Sequence, residues 1–272
     1  MIIWLASYPK SGNTWVRVFL NSLFYTENNE IDINNLSIGQ FPNRKHFEDI
    51  SKNMDDINEF SKNCINAQLR LNLSNETKFL KTHHAYWQNG KYKFTDIQTS
   101  LGVIYIVRDP RNVITSLKNH YNFDNYDDAL KFLLDDRKVI GIKNSKKEMD
   151  LPHIISSWKN HFNSWKKMNK NYLLVKYENL LTSPEVEFQK ILNYLEKLLS
   201  IKFDKMRILD AVQKSSFANL KRKEQDHGFI EAPTSSFFNL GPKNDWRKLL
   251  SKKISEKIER EFKVEMLELN YL

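Results

Sequence analysis

Three short stretches hold residues whose types and spacing could do chemistry. Ser7-Tyr-Pro-Lys-Ser-Gly-Asn13 sets one full positive charge, Lys10, inside a run of turn-forming residues. Gly12 lets the backbone turn tightly or approach a ligand, and Thr14 is placed to cap a following helix or to donate its hydroxyl to a phosphate oxygen. In Lys78-Phe-Leu-Lys-Thr-His-His84, alternation along an extended segment puts Lys81 and His83 on one face and His84 on the other. A cation two residues from a histidine holds the imidazole neutral and so able to take a proton. In Arg108-Asp-Pro-Arg-Asn112, followed by Ser116, a guanidinium and a hydroxyl could converge on one phosphate. The chemistry these residues suit is proton abstraction beside a bound polyanion.

The elements that must position them are legible around each stretch. Met1 to Ala6 is an apolar run short enough for a buried strand, and Thr14 to Tyr25 has helical spacing, with Val16, Leu20, Leu23 and Phe24 on one face. Strand, small-residue loop and helix together aim backbone N–H groups and a positive helix end at an anion. The loop is not a Walker A sequence, since Lys10 precedes Gly12, and it lacks the spaced glycines of a dinucleotide fingerprint. Val103 to Val107 reads as a parallel strand covered on both faces. Asp109-Pro110 then starts a helix to about Tyr121.

Elsewhere, residues 26–77 predict one or two amphipathic helices, and 122–152 form a polar, charged segment that either borders the acceptor site or is mobile. A helix is expected over Ile154 to Met168 with Trp158 and Trp165 in the core, and a strand over Tyr172 to Tyr177. Ser183-Pro184-Glu185 caps a helix to about Leu195, and a last amphipathic helix runs from about Ile254 to Leu269.

At 272 residues with 40% apolar content the chain can bury a sizeable core as one domain, 1–272. The net charge of +9 suits an anionic partner. Basic residues are spread along the whole chain, so nucleic acid is not the expected partner. A single cysteine, Cys64, rules out an internal disulfide and gives no metal-site pattern. No leader sequence and no bilayer-length apolar run is seen, so a cytoplasmic protein without a membrane partner is expected.

Tyr8-Pro-Lys-Ser-Gly-Asn-Thr-Trp15 resembles the 5′-phosphosulfate-binding loop of sulfotransferases that use 3′-phosphoadenosine 5′-phosphosulfate (PAPS). Lys81-Thr-His83 is similar to that family's catalytic segment, and Tyr105-Ile-Val-Arg-Asp-Pro-Arg-Asn-Val113 with Ser116 to its 3′-phosphate motif. The resemblance implies an α/β fold: a single domain, a central parallel sheet flanked by helices, and a P-loop-like phosphosulfate-binding loop. It makes His83 the general base, with Lys10 and Lys81 as catalytic cations. Lys10, Ser11, Gly12, Asn13 and Thr14 would hold the 5′-phosphosulfate, and Arg108 and Ser116 the 3′-phosphate. Tyr177 and Ser216 would contact the nucleotide, while Trp15 and Phe217 would sandwich the adenine. Asn239-Leu-Gly-Pro-Lys-Asn-Asp-Trp246 is similar to the C-terminal nucleotide loop, usually Arg-Lys-Gly followed three residues later by Asp-Trp. Gly241 fits, but Asn239 and Leu240 stand where the Arg and Lys belong, leaving Lys243, Lys221 and Arg222 as candidate replacements. The implied reaction moves a sulfuryl group from PAPS to a hydroxyl or amine of a small-molecule acceptor, yields 3′,5′-ADP and uses no metal. The family's dimer motif is not found in Leu249 to Glu256, so the oligomeric state stays open. A P-loop nucleotide kinase-like enzyme and a non-catalytic nucleotide-binding relative are the alternatives.

Overall fold

A computed structural model of the protein describes residues 1–26, 30–141, 151–168, 171–232 and 236–272. The expected acceptor border at 142–150 lies outside these residues. The chain divides into two compact units, one of 1–8, 38–106 and 135–174, the other of 9–37, 107–134 and 175–272.

The first unit is built on a parallel sheet. Strand β1 (Ile2–Ser7) is buried along its whole length, as its unbroken apolar run requires. It pairs in parallel with β2 (Lys78–Thr82) on one side and β5 (Ser100–Val107) on the other. Between them come two-residue β3 (Gln88–Asn89) and β4 (Tyr92–Lys93), and later a second small ribbon, β6 (Val139–Ile140) with β7 (His153–Ile154). Strand β8 (Tyr172–Lys176) lies beside β5, giving the order β2-β1-β5-β8. β2 is an edge strand, and Gln40 pairs along its outer side at Lys81, where Lys81 N–H donates to Gly39 O and Lys81 O accepts from Phe41 N–H. This covers the edge at Lys81. Trp4, on β1, is fully buried against Phe41, Phe94 and Trp165 at 5.5, 5.3 and 6.4 Å between ring centroids. Its indole N–H donates to Ser100 Oγ at 2.7 Å, as a buried Trp requires.

The other elements are mainly helices. α1 covers Asn13–Tyr25, α2 Ile57–Asn72, α3 Pro110–His120, α4 Tyr126–Leu134, α5 Trp158–Lys166, α6 Tyr177–Thr182, α7 Pro184–Leu199, α8 Lys205–Lys214, α9 Phe217–His227, α10 Trp246–Leu249, α11 Lys252–Glu261 and α12 Lys263–Glu268. Of these, α2 and α5 belong to the first unit. In the second unit Phe19 of α1 stacks on Phe188 of α7 at 3.9 Å.

Several expectations change. Thr14 does not cap α1: Gly12 occupies the cap position with φ +101 and no side-chain bond, and Thr14 is already helical. Ser183 precedes α7 but makes no capping bond, because its φ of −147 and ψ of 63 depart from the extended cap geometry. The polar 122–152 segment contains α4, whose buried Ala129, Phe132 and Leu133 follow a three–four spacing hidden among charges. Within 26–77 the described residues hold one of the one or two expected helices, α2, with a short 3-10 turn at Arg44–His46, and Phe41 and Phe47 are buried outside α2. The closing helix is two helices, interrupted at Phe262. Ile254, Ile258, Phe262 and Met266 are all buried at a spacing of four. That spacing drifts about 40° per step around a straight helix, roughly 120° across the set. The break lets both ends face inward.

Candidate active site

Each strand of the sheet hands the chain to a functional residue. The loop 9–12 follows β1, His83 follows β2, Arg108 follows β5 and Tyr177 follows β8. That is where ligands of open α/β sheets bind.

The second unit holds a cleft lined by Lys10, Gly12, Thr14, Trp15, Arg108, Ser116, Tyr177, Phe217 and Gly241, together with Thr115, Asn119, Leu220, Phe237, Phe238, Asn239, Leu240 and Asn244. Nine of the predicted nucleotide residues thus share one cleft. Ser11 and Asn13 are buried in the same loop. Ser11 Oγ is buried with no hydrogen-bond partner among the described residues, as are Trp15 Nε1 and Arg108 Nε. Unspent buried donors are rare, and a phosphate-bearing ligand would satisfy them.

Backbone freedom is needed at two points. A Cβ on Gly12 would sit 2.5 Å from the Tyr177 ring, and one on Gly241 only 2.1 Å from the Phe217 ring; both glycines have positive φ, +101 and +51. An aromatic ring therefore packs against the backbone at each glycine, where a side chain would collide with it.

Arg108 is 6% exposed. Its Nη1 donates to Lys10 O at 3.0 Å and to Ser116 Oγ at 3.1 Å, which brings the predicted pair together. Its guanidinium lies 4.2 Å from the Tyr177 ring centroid. The neighbouring Asp109 does not tie it down: Asp109 caps α3 and is held by Arg111, which also reaches Glu259 at 2.7 Å. Burial raises the Glu178 carboxyl, which accepts from Asp109 N–H and from the Tyr271 hydroxyl. The Lys10 ammonium lies 3.5 Å from the Phe237 ring centroid.

Ser216 takes a different place. Its Oγ accepts from Asn219 N–H as the cap of α9, and it lines a separate groove rather than the cleft. The candidate replacements for the missing Arg–Lys pair do not line the cleft either. Lys221 Nζ donates to Asn239 O at 3.3 Å, Arg222 donates to Asn219 Oδ1, and Lys243 is exposed. Among the described residues, the cations lining the cleft are Lys10 and Arg108. Sequence reading missed Asn244. Asn112, Thr115 and Ser116 stand at i, i+3 and i+4 on α3, and that face holds Asn244 and, through Asn112 Oδ1, the Trp246 N–H. The spacing on α3 was visible; its partner was not.

His83, His84 and His161 lie in the first unit. His83 Nδ1 is 2.8 Å from Ser7 O and 3.3 Å from Ser7 Oγ. A carbonyl oxygen only accepts, so Nδ1 carries the proton and the Nε2 lone pair of a neutral ring is the basic one. His161 Nε2 is 3.2 Å from His83 O, and Tyr105 OH is 2.8 Å from His161 Nδ1, so Tyr105 donates to His161 and His161 donates to the His83 carbonyl. Burial lowers His161 to about 3. His84 is fully buried, stacked on Phe94 at 4.7 Å, and burial holds it well below the usual histidine range. Its Nδ1 accepts from Trp87 Nε1 and Ile154 N–H, the opposite tautomer to His83. Lys81 is buried in β2 at 4% exposure.

The profile of the sulfotransferase domain family matches residues 2–270. The chain is 22% identical to mouse sulfotransferase 1 family member D1 over 96% of this chain and 81% of that protein. It is 21% identical to human sulfotransferase 1E1 over 97% and 83%. Its fold is similar to mouse sulfotransferase SULT7A1 complexed with PAP, with TM-score 0.60, 21% identity and coverage of 97% and 84%. It is also similar to retinol dehydratase in complex with androsterone and inactive cofactor PAP, with TM-score 0.59, 17% identity and coverage of 97% and 80%. The shared fold is a central parallel sheet flanked by helices. The chain belongs to the sulfotransferase domain family.

Proposed function

We propose that the chain transfers the sulfuryl group of PAPS to a hydroxyl or amine of a small-molecule acceptor, with His83 as general base and residues 1–272 acting as one domain. The observation that carries this reading is the cleft with the unspent donors of Arg108 and Trp15, walled by the Tyr177 and Phe217 rings and adjoined by the unpaired Ser11 Oγ. Trp15 and Phe217 would hold the adenine; stacking of that kind is worth roughly 1–3 kcal/mol per base. Arg108 and Ser116 would hold the 3′-phosphate. Lys10, Ser11, Asn13, Thr14 and the start of α1 would face the 5′-phosphate.

His83 Nε2 would take the acceptor's proton as the acceptor oxygen or nitrogen bonds to sulfur. The bond between sulfur and the bridging phosphate oxygen breaks in line with that attack. Lys10 and the loop N–H groups meet the charge that develops on the departing phosphate, and 3′,5′-ADP leaves. Lys81 supplies a second positive charge for the sulfuryl oxygens. No described helix is long and apolar enough to cross a membrane; the cytoplasmic setting stays part of this proposal.

The test is turnover of PAPS against a panel of phenols, alcohols and amines. Sulfated product should form in step with 3′,5′-ADP, and His83→Ala should abolish both while still binding 3′,5′-ADP. Undiminished turnover by His83→Ala would place the base elsewhere.

A further inference from the structure

Asn244 stands in the C-terminal loop whose Arg–Lys pair is replaced by Asn239 and Leu240. Its amide orientation is fixed: Nδ2 is 3.2 Å from Asn112 O, which only accepts, so the nitrogen faces that carbonyl. The second amide hydrogen goes to Ser116 Oγ at 3.3 Å, and Oδ1 lies 2.8 Å from Thr115 Oγ1, whose single proton it shares with Asn112 O at 2.7 Å. Ser116 Oγ therefore accepts twice, from Asn244 Nδ2 and from Arg108 Nη1 at 3.1 Å. A hydroxyl has two acceptor sites and one proton. With both acceptor sites used, the Ser116 O–H is left as a donor in a cleft that Ser116, Arg108 and Asn244 line together.

We infer that Asn244 is a positioning residue that sets the polarity of Ser116, turning its hydroxyl into an obligate donor to the nucleotide's 3′-phosphate. This rests on the donor-site reading above. It offers a neutral route to 3′-phosphate selectivity in a cleft whose lining cations, among the described residues, are Lys10 and Arg108. Reversing the polarity should be worse than deleting the contact. An aspartate at 244 has no hydrogen to give: it would accept the Ser116 proton and repel the phosphate.

The experiment is a calorimetric titration of the full chain with 3′,5′-ADP and with 5′-AMP. Asn244→Asp should weaken 3′,5′-ADP by at least tenfold and change 5′-AMP by less than twofold. Asn244→Gly, which adds no charge, should weaken 3′,5′-ADP three- to tenfold and keeps the test alive if the aspartate variant does not fold. In a Ser116→Ala background, Asn244→Gly should cost less than twofold more, because the residue acts through Ser116. Equal losses for both nucleotides, full additivity with Ser116→Ala, or unchanged 3′,5′-ADP affinity would overturn the inference. A wild-type chain that binds 5′-AMP as well as 3′,5′-ADP would instead overturn the donor-site reading, and this inference with it.

Discussion

The cleft around Arg108 and the histidine cluster around His83 treat buried polar groups in opposite ways. At the cleft, Trp15 Nε1 and Arg108 Nε, and in the adjoining loop Ser11 Oγ, are buried and have no hydrogen-bond partner among the described residues. In the cluster, Tyr105, His161, His83 and Ser7 form a chain in which each donor has a stated acceptor. Burying an unpaired donor costs about 1–3 kcal/mol, so the cleft is the costlier arrangement until an anion completes it. The four-residue chain already has its partners, and what they fix is the His83 tautomer; His84 Nε2, outside that chain, is buried with no hydrogen-bond partner among the described residues. The lesson is a division of labour: one region keeps donors in reserve for a polyanion, the other holds a lone pair at a defined nitrogen.

The strongest way to break that comparison is to remove the lone pair. His83→Ala should lower turnover of PAPS by about a thousandfold, in the range of general-base effects, and leave 3′,5′-ADP affinity within twofold. If affinity falls with turnover, the two regions are not separable. Arg108→Ala attacks the other side. A charge-assisted bond contributes about 1.5–3 kcal/mol, so titration should show 3′,5′-ADP weakened roughly ten- to a hundredfold, with 5′-AMP much less affected. Lys10→Ala should lower both turnover and affinity, because its charge serves the nucleotide in the ground state and the departing phosphate in the transition state.

A third test uses pH. His161 titrates at about 3 in the folded chain against 6.5 for an ordinary histidine, with burial as the main cause. Between those values the unfolded chain binds the proton and the folded chain does not, so stability is full above about 6.5 and falls as pH drops toward 3. One such group contributes a slope of up to about 1.4 kcal/mol per pH unit. His84 is lowered for the same reason and adds in the same direction. Urea midpoints measured from pH 7 to 5 should fall, and His161→Gln should flatten the decline; an unchanged slope would mean His161 is not buried neutral. The smallest effect is a gain. Asn239→Arg with Leu240→Lys should raise 3′,5′-ADP affinity up to about tenfold and steepen its salt dependence. No gain would show that the cleft already has its complement of donors.

The parts legible in the sequence are those where local chemistry and local structure coincide. Asp109-Pro110 opens α3 because a carboxylate cap and a proline at the first turn both favour a helix start, and the strand before it is buried from Gly102 to Val107. Lys10, Gly12, Arg108, Ser116, Tyr177, Phe217 and Gly241 were named from short motifs and line one cleft. What escaped depends on contacts remote in sequence. Asn244 meets Ser116 across 128 residues, and His161 meets the His83 carbonyl across 78. Neither contact has a periodicity or a local motif. α4 was missed for a different reason: its apolar spacing is short and sits among Asp127, Asp128 and Lys131. Ser216, a nucleotide contact by motif, caps α9 by accepting from Asn219 N–H and lines a separate groove, a placement that local motif does not predict.

The measurement that bears most directly on the central claim is a calorimetric titration of the wild-type chain with 3′,5′-ADP, with 5′-AMP and ATP–Mg²⁺ as controls. It needs no knowledge of the acceptor. The account predicts micromolar binding that depends on the 3′-phosphate, despite Asn239 and Leu240. Equal binding of 5′-AMP, or ATP–Mg²⁺ binding more tightly, would contradict it.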